Sequence, residues 1–251
     1  MKSKYLTGNT ATETVPEVAM ILAAGFGERM LPLTQKTPKP LIKVEGKPLL
    51  DYCFAWLNDY GIKKIIINTY YLADQIIAYI NTKTQNNVYI SHEKQKLETG
   101  GGIKNALPLI GTDPFFVINA DSIWRGTSPL ACLKAVWDPH IMDCLILLIP
   151  IENALAYTQA GDFFLDSKGL VLGKGKNTQA PFVYTGVQIV KPELFALIDQ
   201  ENFSLTILLK NLIEKKMLFG TIYNGGWIDV GTPAKITEAE RLVSNDRERK
   251  L

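Results

Sequence analysis

Residues 18–23, VAMILA, form an unbroken apolar run that ends in a glycine at position 25. That is the pattern of a strand buried on both faces of a parallel sheet. A polar, glycine-bearing segment follows it. Pro48 then opens and Gly61 closes the stretch LLDYCFAWLND, which predicts a helix, since proline suits the first helical turn and glycine the residue after the last. A second buried strand is expected at 63–68 (KKIIIN), a second helix at 72–80 and a third strand at 88–91. A further helix is expected to begin at 100–107, followed by a strand at 115–119 (FFVIN) that leads into Asp121.

Strands alternating with helices imply an α/β fold, Rossmann-like, with a doubly wound and mainly parallel sheet whose ligands bind beyond the carboxyl ends of its strands. From Asp143 the pattern becomes strand-rich, with strands expected at 144–149, 163–165, 170–172 and 183–190. These suit antiparallel additions to the sheet. Helices are expected at 195–198 and 207–216, a glycine-rich loop at 224–232 (NGGWIDVGT), and a terminal helix from Pro233 to about Leu242. The expected organisation is a flexible tail over 1–16, one domain over 17–243 and a charged tail over 244–251.

Composition narrows the function classes. A chain of 251 residues with 47% hydrophobic and 21% charged residues is long enough for one large core. A net charge of +2 gives no broad footprint for nucleic acid or an anionic membrane, so any phosphate binding is local. Cys53, Cys132 and Cys144 lack the spacing of a zinc or redox motif and read as reduced structural thiols. Neither the first sixteen residues nor the apolar run at 145–151, interrupted by Pro150, has the pattern of a signal peptide or a membrane span. A cytoplasmic location is the expectation.

The candidate chemistry is concentrated in residues 22–41, LAAGFGERMLPLTQKTPKPL. Gly25 and Gly27 resemble part of a dinucleotide fingerprint, but Met30 stands where the third glycine belongs and Asn68 where a ribose-binding carboxylate is expected. That argues against a nicotinamide-dependent oxidoreductase. Three prolines instead stiffen a loop that presents Arg29 and Lys39, an arrangement suited to holding a polyphosphate.

This string resembles the signature of the sugar 1-phosphate nucleotidyltransferases, AAGxGxRxxPLTxxxPKPL, and the resemblance extends from about Val18 to Val243. It implies that Arg29 and Lys39 contact the triphosphate. It implies further that Leu22, Ala24, Gly25 and Gly27 line the nucleotide, with backbone at Glu98 and Thr99 in the loop LETGGGI approaching base and ribose. The glycines at 100–102 would let the backbone come close and start a helix at an anionic group. Asp121 and Asp229 would hold Mg²⁺, since two carboxylates completed by phosphate and water oxygens suit that ion. Glu93 corresponds to a position that reads the base. It can accept from N3–H of uracil or thymine, and equally from the N1–H and amino group of guanine.

Within the family, the motifs PEVAMILAAG, LETGGGI, GDFFL and GGWIDVGT most resemble the N-acetylmuramate 1-phosphate uridylyltransferases, which implies UTP and a sugar 1-phosphate as substrates. The mannose 1-phosphate guanylyltransferases and heptose 1-phosphate nucleotidyltransferases share much of this pattern. Asp162, Tyr184 and Gly186 fall where the family contacts the sugar, the last two in an expected Tyr-Thr-Gly turn. Two departures stand out: the Glu-Lys-Pro segment of many relatives is absent, leaving Lys174 or Lys176 as a substitute, and Ala120 replaces a more usual glycine. Three rivals remain: a fold-retaining, non-catalytic binding module, which should have lost one of the four charged residues; a guanylyltransferase; and a choline phosphate cytidylyltransferase using Tyr184, Trp124 and Trp227 as an aromatic cage. A monomer or small homo-oligomer that binds neither nucleic acid nor membrane is expected.

Overall fold

A computed structural model describes residues 15–83 and 87–248, with side chains described as far as residue 244. Most of the expected 1–16 tail therefore lies outside the described residues. The first half runs β1 (Val18–Leu22), the small ribbon β2 (Lys43–Val44) and β3 (Lys47–Pro48), α1 (Leu49–Tyr60), β4 (Lys64–Thr69), α2 (Ala73–Asn81), β5 (Val88–His92), α3 (Glu98–Ile110), β6 (Phe115–Asn119), β7 (Ser122–Arg125) and α4 (Pro129–Lys134). The second half contributes β8 (Cys144–Pro150), β9 (Phe163–Leu165), β10 (Val171–Gly173), β11 (Phe182–Val190), α5 (Glu193–Ala196), α6 (Leu205–Glu214), β12 (Leu218–Ile222), β13 (Gly226–Asp229) and α7 (Ala234–Glu248).

In the central sheet β5, β4, β1 and β6 lie side by side and parallel, and β11 joins β6 antiparallel. Beyond β11 come β8 and then β12, while β9 and β10 attach at the Phe182 end of β11. The expected fold class is the one observed. The order β5-β4-β1-β6 reverses direction at β1, so a crevice opens beyond the carboxyl ends of β1 and β6.

Apolar residues that alternate along these strands fill two layers. One face packs Ile21, Ile65, Phe116 and Leu147 against α1, α2 and α4. The other packs Met20, Ile66, Val117 and Ile146 against α3 and α6. A third, smaller cluster of Met30, Val44, Ile228, Val230 and Leu242 lies beneath α7. Helix α1 ends as predicted, with Gly61 in the left-handed region at φ 85° and its N–H returned to Leu57 and Asn58.

Four expectations are corrected. The 224–232 loop contains strand β13, which pairs antiparallel with the equally unpredicted β7. Helix α3 starts at Glu98, before the three glycines. The terminal helix continues through the charged segment to Glu248 instead of stopping near Leu242. The Tyr184-Thr185-Gly186 segment is not a turn but the interior of β11, where the register shifts between Tyr184 and Gln188 and Gly186 sits at φ 78°. A bulge allows the strand to bend there. Gly186 has a local reason too: a Cβ would lie 2.3 Å from Asn119 Nδ2.

Candidate active site

The signature loop leaves β1 and is folded tightly on itself. Gly27 adopts φ 65°, its carbonyl accepts from the Met30 N–H at 2.8 Å and from the buried Thr34 hydroxyl at 2.9 Å, and a Cβ there would lie 2.8 Å from Thr34 Cγ2. Only glycine meets both conditions. Met30 is fully buried in the third core cluster, an anchor contributing about 1.5–3 kcal/mol. Tyr71 closes the far side by donating to the Thr34 carbonyl at 2.8 Å. Arg29 and Lys39 are thus presented from a braced backbone, while nothing lies within 4 Å of where a Gly25 Cβ would be.

A cavity of about 510 Å³ opens at this loop and is lined by Leu22, Ala24, Gly25, Gly27, Arg29, Lys39, Glu93, Glu98, Thr99 and Asp121. Every residue expected at the nucleotide and the triphosphate is therefore on its wall. A smaller cavity of about 170 Å³ shares Arg29, Asn119 and Asp121 with it and adds Asp162, Tyr184 and Asp229. Gly186 lines neither, and neither do Lys174 and Lys176, which follow β10 in the chain.

The two carboxylates meet through the β7–β13 ribbon. Asp229 is the register partner of Ser122, and the N–H of Val230 donates to the Asp121 carbonyl at 2.9 Å. Lys39 Nζ forms an ion pair with Asp121 Oδ2, and Lys235 Nζ lies 3.7 Å from Asp229 Oδ2. Burial pushes the Asp229 carboxyl above the usual range and the charge of Asp121 pushes it further, with Lys39, Lys235 and Arg29 opposing. Its Oδ1 is buried and has no hydrogen-bond partner among the described residues. Two facing carboxylates with an orphaned oxygen fit a hard divalent cation that draws its remaining ligands from phosphate and water. Ala120 is not among the residues with positive φ, so an alanine fits where a glycine is more usual.

Around Glu93 and α3, several groups expected to contact a nucleotide make bonds within the protein. Glu93 is only 2% exposed, and both its oxygens are engaged: Oε1 accepts from Asn68 Nδ2 at 2.7 Å and Oε2 from the Leu97 N–H at 3.3 Å. Asn68 Oδ1 in turn accepts from the Ala23 N–H at 2.8 Å. Burial raises the Glu93 carboxyl above its ordinary range despite these two bonds. The side chain ties β1, β4 and the loop before α3 together.

The glycines of α3 are equally occupied. The N–H groups of Gly100 and Gly101 donate to the Phe203 carbonyl at 2.9 and 3.0 Å, so they are not open to an anion. A Cβ on Gly100 would lie 2.3 Å from the Phe203 ring, on Gly101 2.1 Å from the Glu201 carbonyl, and on Gly102 2.6 Å from Glu93 Oε1. Thr99 Oγ1 accepts from the Leu205 N–H at 2.8 Å. Glu98 sits at φ 59°, a conformation costly for a residue with a Cβ and one that concentrates at ligand sites.

In the smaller cavity, Asp162 Oδ2 accepts from the Tyr184 N–H at 2.9 Å, whereas the Tyr184 hydroxyl donates to Gln188 at 2.6 Å and is turned into the core. The Tyr184 hydroxyl therefore serves the strand, while the residue itself stays on the cavity wall. Sequence reasoning did not identify Asn119, which lines both cavities, nor Phe26 and Lys96, which stand at the mouth of the larger one with Lys96 Nζ 5.5 Å from the Phe26 ring centre. The polar end of an otherwise apolar FFVIN strand was the available signal for Asn119.

The nucleotidyl transferase family matches residues 18–246 of the chain. An N-acetylmuramate alpha-1-phosphate uridylyltransferase of Caulobacter vibrioides is 40% identical over 91% of this chain and 98% of its own length. One of Neisseria meningitidis is 36% identical over 90% and 97%. Among solved structures, HddC of Yersinia pseudotuberculosis complexed with GMP-PN superposes with a TM-score of 0.74 at 25% identity, covering 90% of this chain and 99% of that one. With a glycine loop, paired cations and paired carboxylates meeting at one crevice, and relatives aligned nearly end to end, the chain belongs to the nucleotidyl transferase family as a sugar 1-phosphate nucleotidyltransferase.

Proposed function

We propose that the protein transfers a uridylyl group from UTP to N-acetylmuramate 1-phosphate, with release of pyrophosphate, and so returns a cell-wall sugar to the nucleotide-sugar pool in the cytoplasm. The observation that carries this reading is the junction of the two cavities at Arg29 and Asp121, beside Asp229. A nucleoside triphosphate in the larger space and a sugar 1-phosphate in the smaller would bring their phosphates together there. The names of the two relatives aligned over nine-tenths of the chain support the choice of substrates.

A phosphate monoester loses its second proton at a pKa of about 6, so the sugar phosphate oxygen is an anionic nucleophile at neutral pH and needs no base. It forms a bond to the α-phosphorus while the bond to the bridging oxygen breaks and pyrophosphate leaves with those electrons. Repulsion between two anions is the main obstacle, and Arg29 and Lys39 answer it with fixed positive charge. Asp121 and Asp229 would hold Mg²⁺, which when bound neutralises phosphate charge. Lys39 is held by Asp121 until a phosphate competes for it.

The test is pyrophosphate release with UTP, dTTP, GTP and CTP, each against N-acetylmuramate, N-acetylglucosamine, glucose and mannose 1-phosphates. Turnover confined to UTP with N-acetylmuramate 1-phosphate is expected. A maximum at GTP with mannose 1-phosphate would keep the chemistry and overturn the substrate, and silence throughout would favour a non-catalytic binding module.

A further inference from the structure

Three buried hydrogen-bond donors at the smaller cavity, Ser122 Oγ, the Tyr157 hydroxyl and Trp227 Nε1, are without partners among the described residues, and the last two lie on segments bonded to each other. Trp227, 4% exposed, and Tyr157 both line that cavity, and neither Trp227 Nε1 nor the Tyr157 hydroxyl, both shut off from bulk water, has a partner among the described residues. The N–H of Gly161 approaches the phenolic oxygen without completing a bond, which leaves the hydroxyl hydrogen free to donate. Buried donors without acceptors are rare in folded proteins, and three at one ligand cavity call for acceptors brought by the ligand.

Tyr157 and Trp227 are held side by side by backbone. The Leu155 N–H donates to the Trp227 carbonyl at 2.8 Å, and the Tyr157 N–H donates to the Ala154 carbonyl at 3.3 Å, so the turn carrying Tyr157 is pinned to strand β13. Gly161 completes the turn at φ 67°, where a Cβ would lie 2.0 Å from the Ala180 carbonyl. Such fixed donors suit selective recognition, since little ordering remains to be done on binding.

Charge on the walls decides what kind of acceptor fits. Of the carboxylates that line this cavity, Asp121 pairs with Lys39 and Asp229 lies 3.7 Å from Lys235, while Asp162, in none of the ion pairs among the described residues, stands near enough to the Tyr157 phenol to add to the rise that burial causes in its pKa. A carboxylate would be repelled, whereas a neutral carbonyl oxygen accepts two hydrogen bonds without adding charge. Resting on the proposed function, we infer that Tyr157 and Trp227 are specificity-determining donors that grip the carbonyl oxygen of an N-acyl group on the sugar 1-phosphate. A charged substituent on the same sugar would then point away from this wall.

Tyr157→Phe removes one donor and keeps the ring that packs against the core. We expect it to raise the KM for the N-acylated sugar 1-phosphate about tenfold, the effect of about one hydrogen bond, with kcat and the KM for UTP unchanged. Glucose 1-phosphate, as a substrate or, where it is not turned over, as a competitive inhibitor, should be affected less than twofold. An equal loss on both sugars, or none on either, would overturn the inference while leaving the proposed function in place. Wild-type turnover confined to sugars without an acyl group would overturn both the substrate reading and this one.

Discussion

The backbone N–H of Val230 donates to the carbonyl of Asp121 at 2.9 Å, one bond between two segments far apart in the chain. It closes the β7–β13 ribbon just where each strand presents its carboxylate, Asp121 before β7 and Asp229 at the end of β13. Replacing either by asparagine preserves shape and removes the charge. Turnover should fall by at least about 100-fold in Asp121→Asn and Asp229→Asn, with a far-ultraviolet circular dichroism spectrum like that of the parent. Added Mg²⁺ should raise the melting temperature of the parent, since a ligand bound only by the native state stabilises it. The absence of that rise in both variants, alongside lost activity, is the expected pattern; near-normal activity in both would remove the assignment.

The glycines of α3 make a different kind of prediction. Because a Gly101 Cβ would fall 2.1 Å from the Glu201 carbonyl, an alanine there must push backbone and not a flexible side chain. Overpacking of this kind costs about 1–3 kcal/mol, readable as a lower urea midpoint. Gly25→Ala, where a Cβ meets nothing within 4 Å, should leave the urea midpoint nearly unchanged and weaken nucleotide binding instead. A reversed pattern, with Gly25→Ala the less stable, would mean that the packing role has been put on the wrong glycine.

How far the sequence can be read is well shown by these same loops. Unbroken apolar runs made β1, β4, β6 and β8 legible, because a strand buried on both faces needs no partner to be recognised. β7 and β13 escaped notice because SIWR and GWID are short and acquire strand character only from each other. Likewise, Arg29, Lys39, Asp121 and Asp229 were legible because their positions are fixed by a motif. The Glu93 carboxylate, the Tyr184 hydroxyl and the N–H groups of Gly100 and Gly101 are engaged by protein partners that local sequence does not point to, Asn68 and Phe203 far off along the chain and Gln188 four residues on across a break in strand register. Local chemistry shows in sequence; whether a polar group is already satisfied is a property of the fold.

The three free thiols differ enough to act as probes. Cys53 and Cys144 are buried, and burial pushes Cys53 up to about 12 and Cys144 well above its ordinary value. Thiolate is the reactive form, so neither should be alkylated by iodoacetamide at pH 8 while the protein is folded. Cys132, partly exposed, should react first and alone. Cys53 Sγ donates at 3.7 Å to the carbonyl of Asn119, a residue that lines both cavities, so its slow labelling reports opening of the packing behind them. Bound nucleotide should slow it further, measured by mass spectrometry of the modified peptides. Fast labelling of Cys53 in the free protein would contradict the packing described.

Glu93 links the wall of the larger cavity to pH. Its carboxyl is raised by burial and slightly by Glu98, against the lowering effects of Asn68, Leu97 and His92. A carboxyl whose folded pKa exceeds its unfolded value, about 4.3 for glutamate, binds protons more tightly in the native state. Its contribution to stability is therefore greatest in acid and is lost as pH rises through the raised value. Glu93→Gln has no such proton to lose. The parent should be stabilised relative to the variant near pH 4 and progressively less so towards pH 7, as measured by urea denaturation of both proteins across that range. Taking the difference cancels the titration of the carboxylates they share. Glutamine keeps an oxygen for Asn68 but turns an amide towards the Leu97 N–H, so a constant offset from one lost bond should accompany the slope. A difference that grew in the parent's favour with rising pH would mean that the carboxylate is stabilised by its two bonds more than burial penalises it.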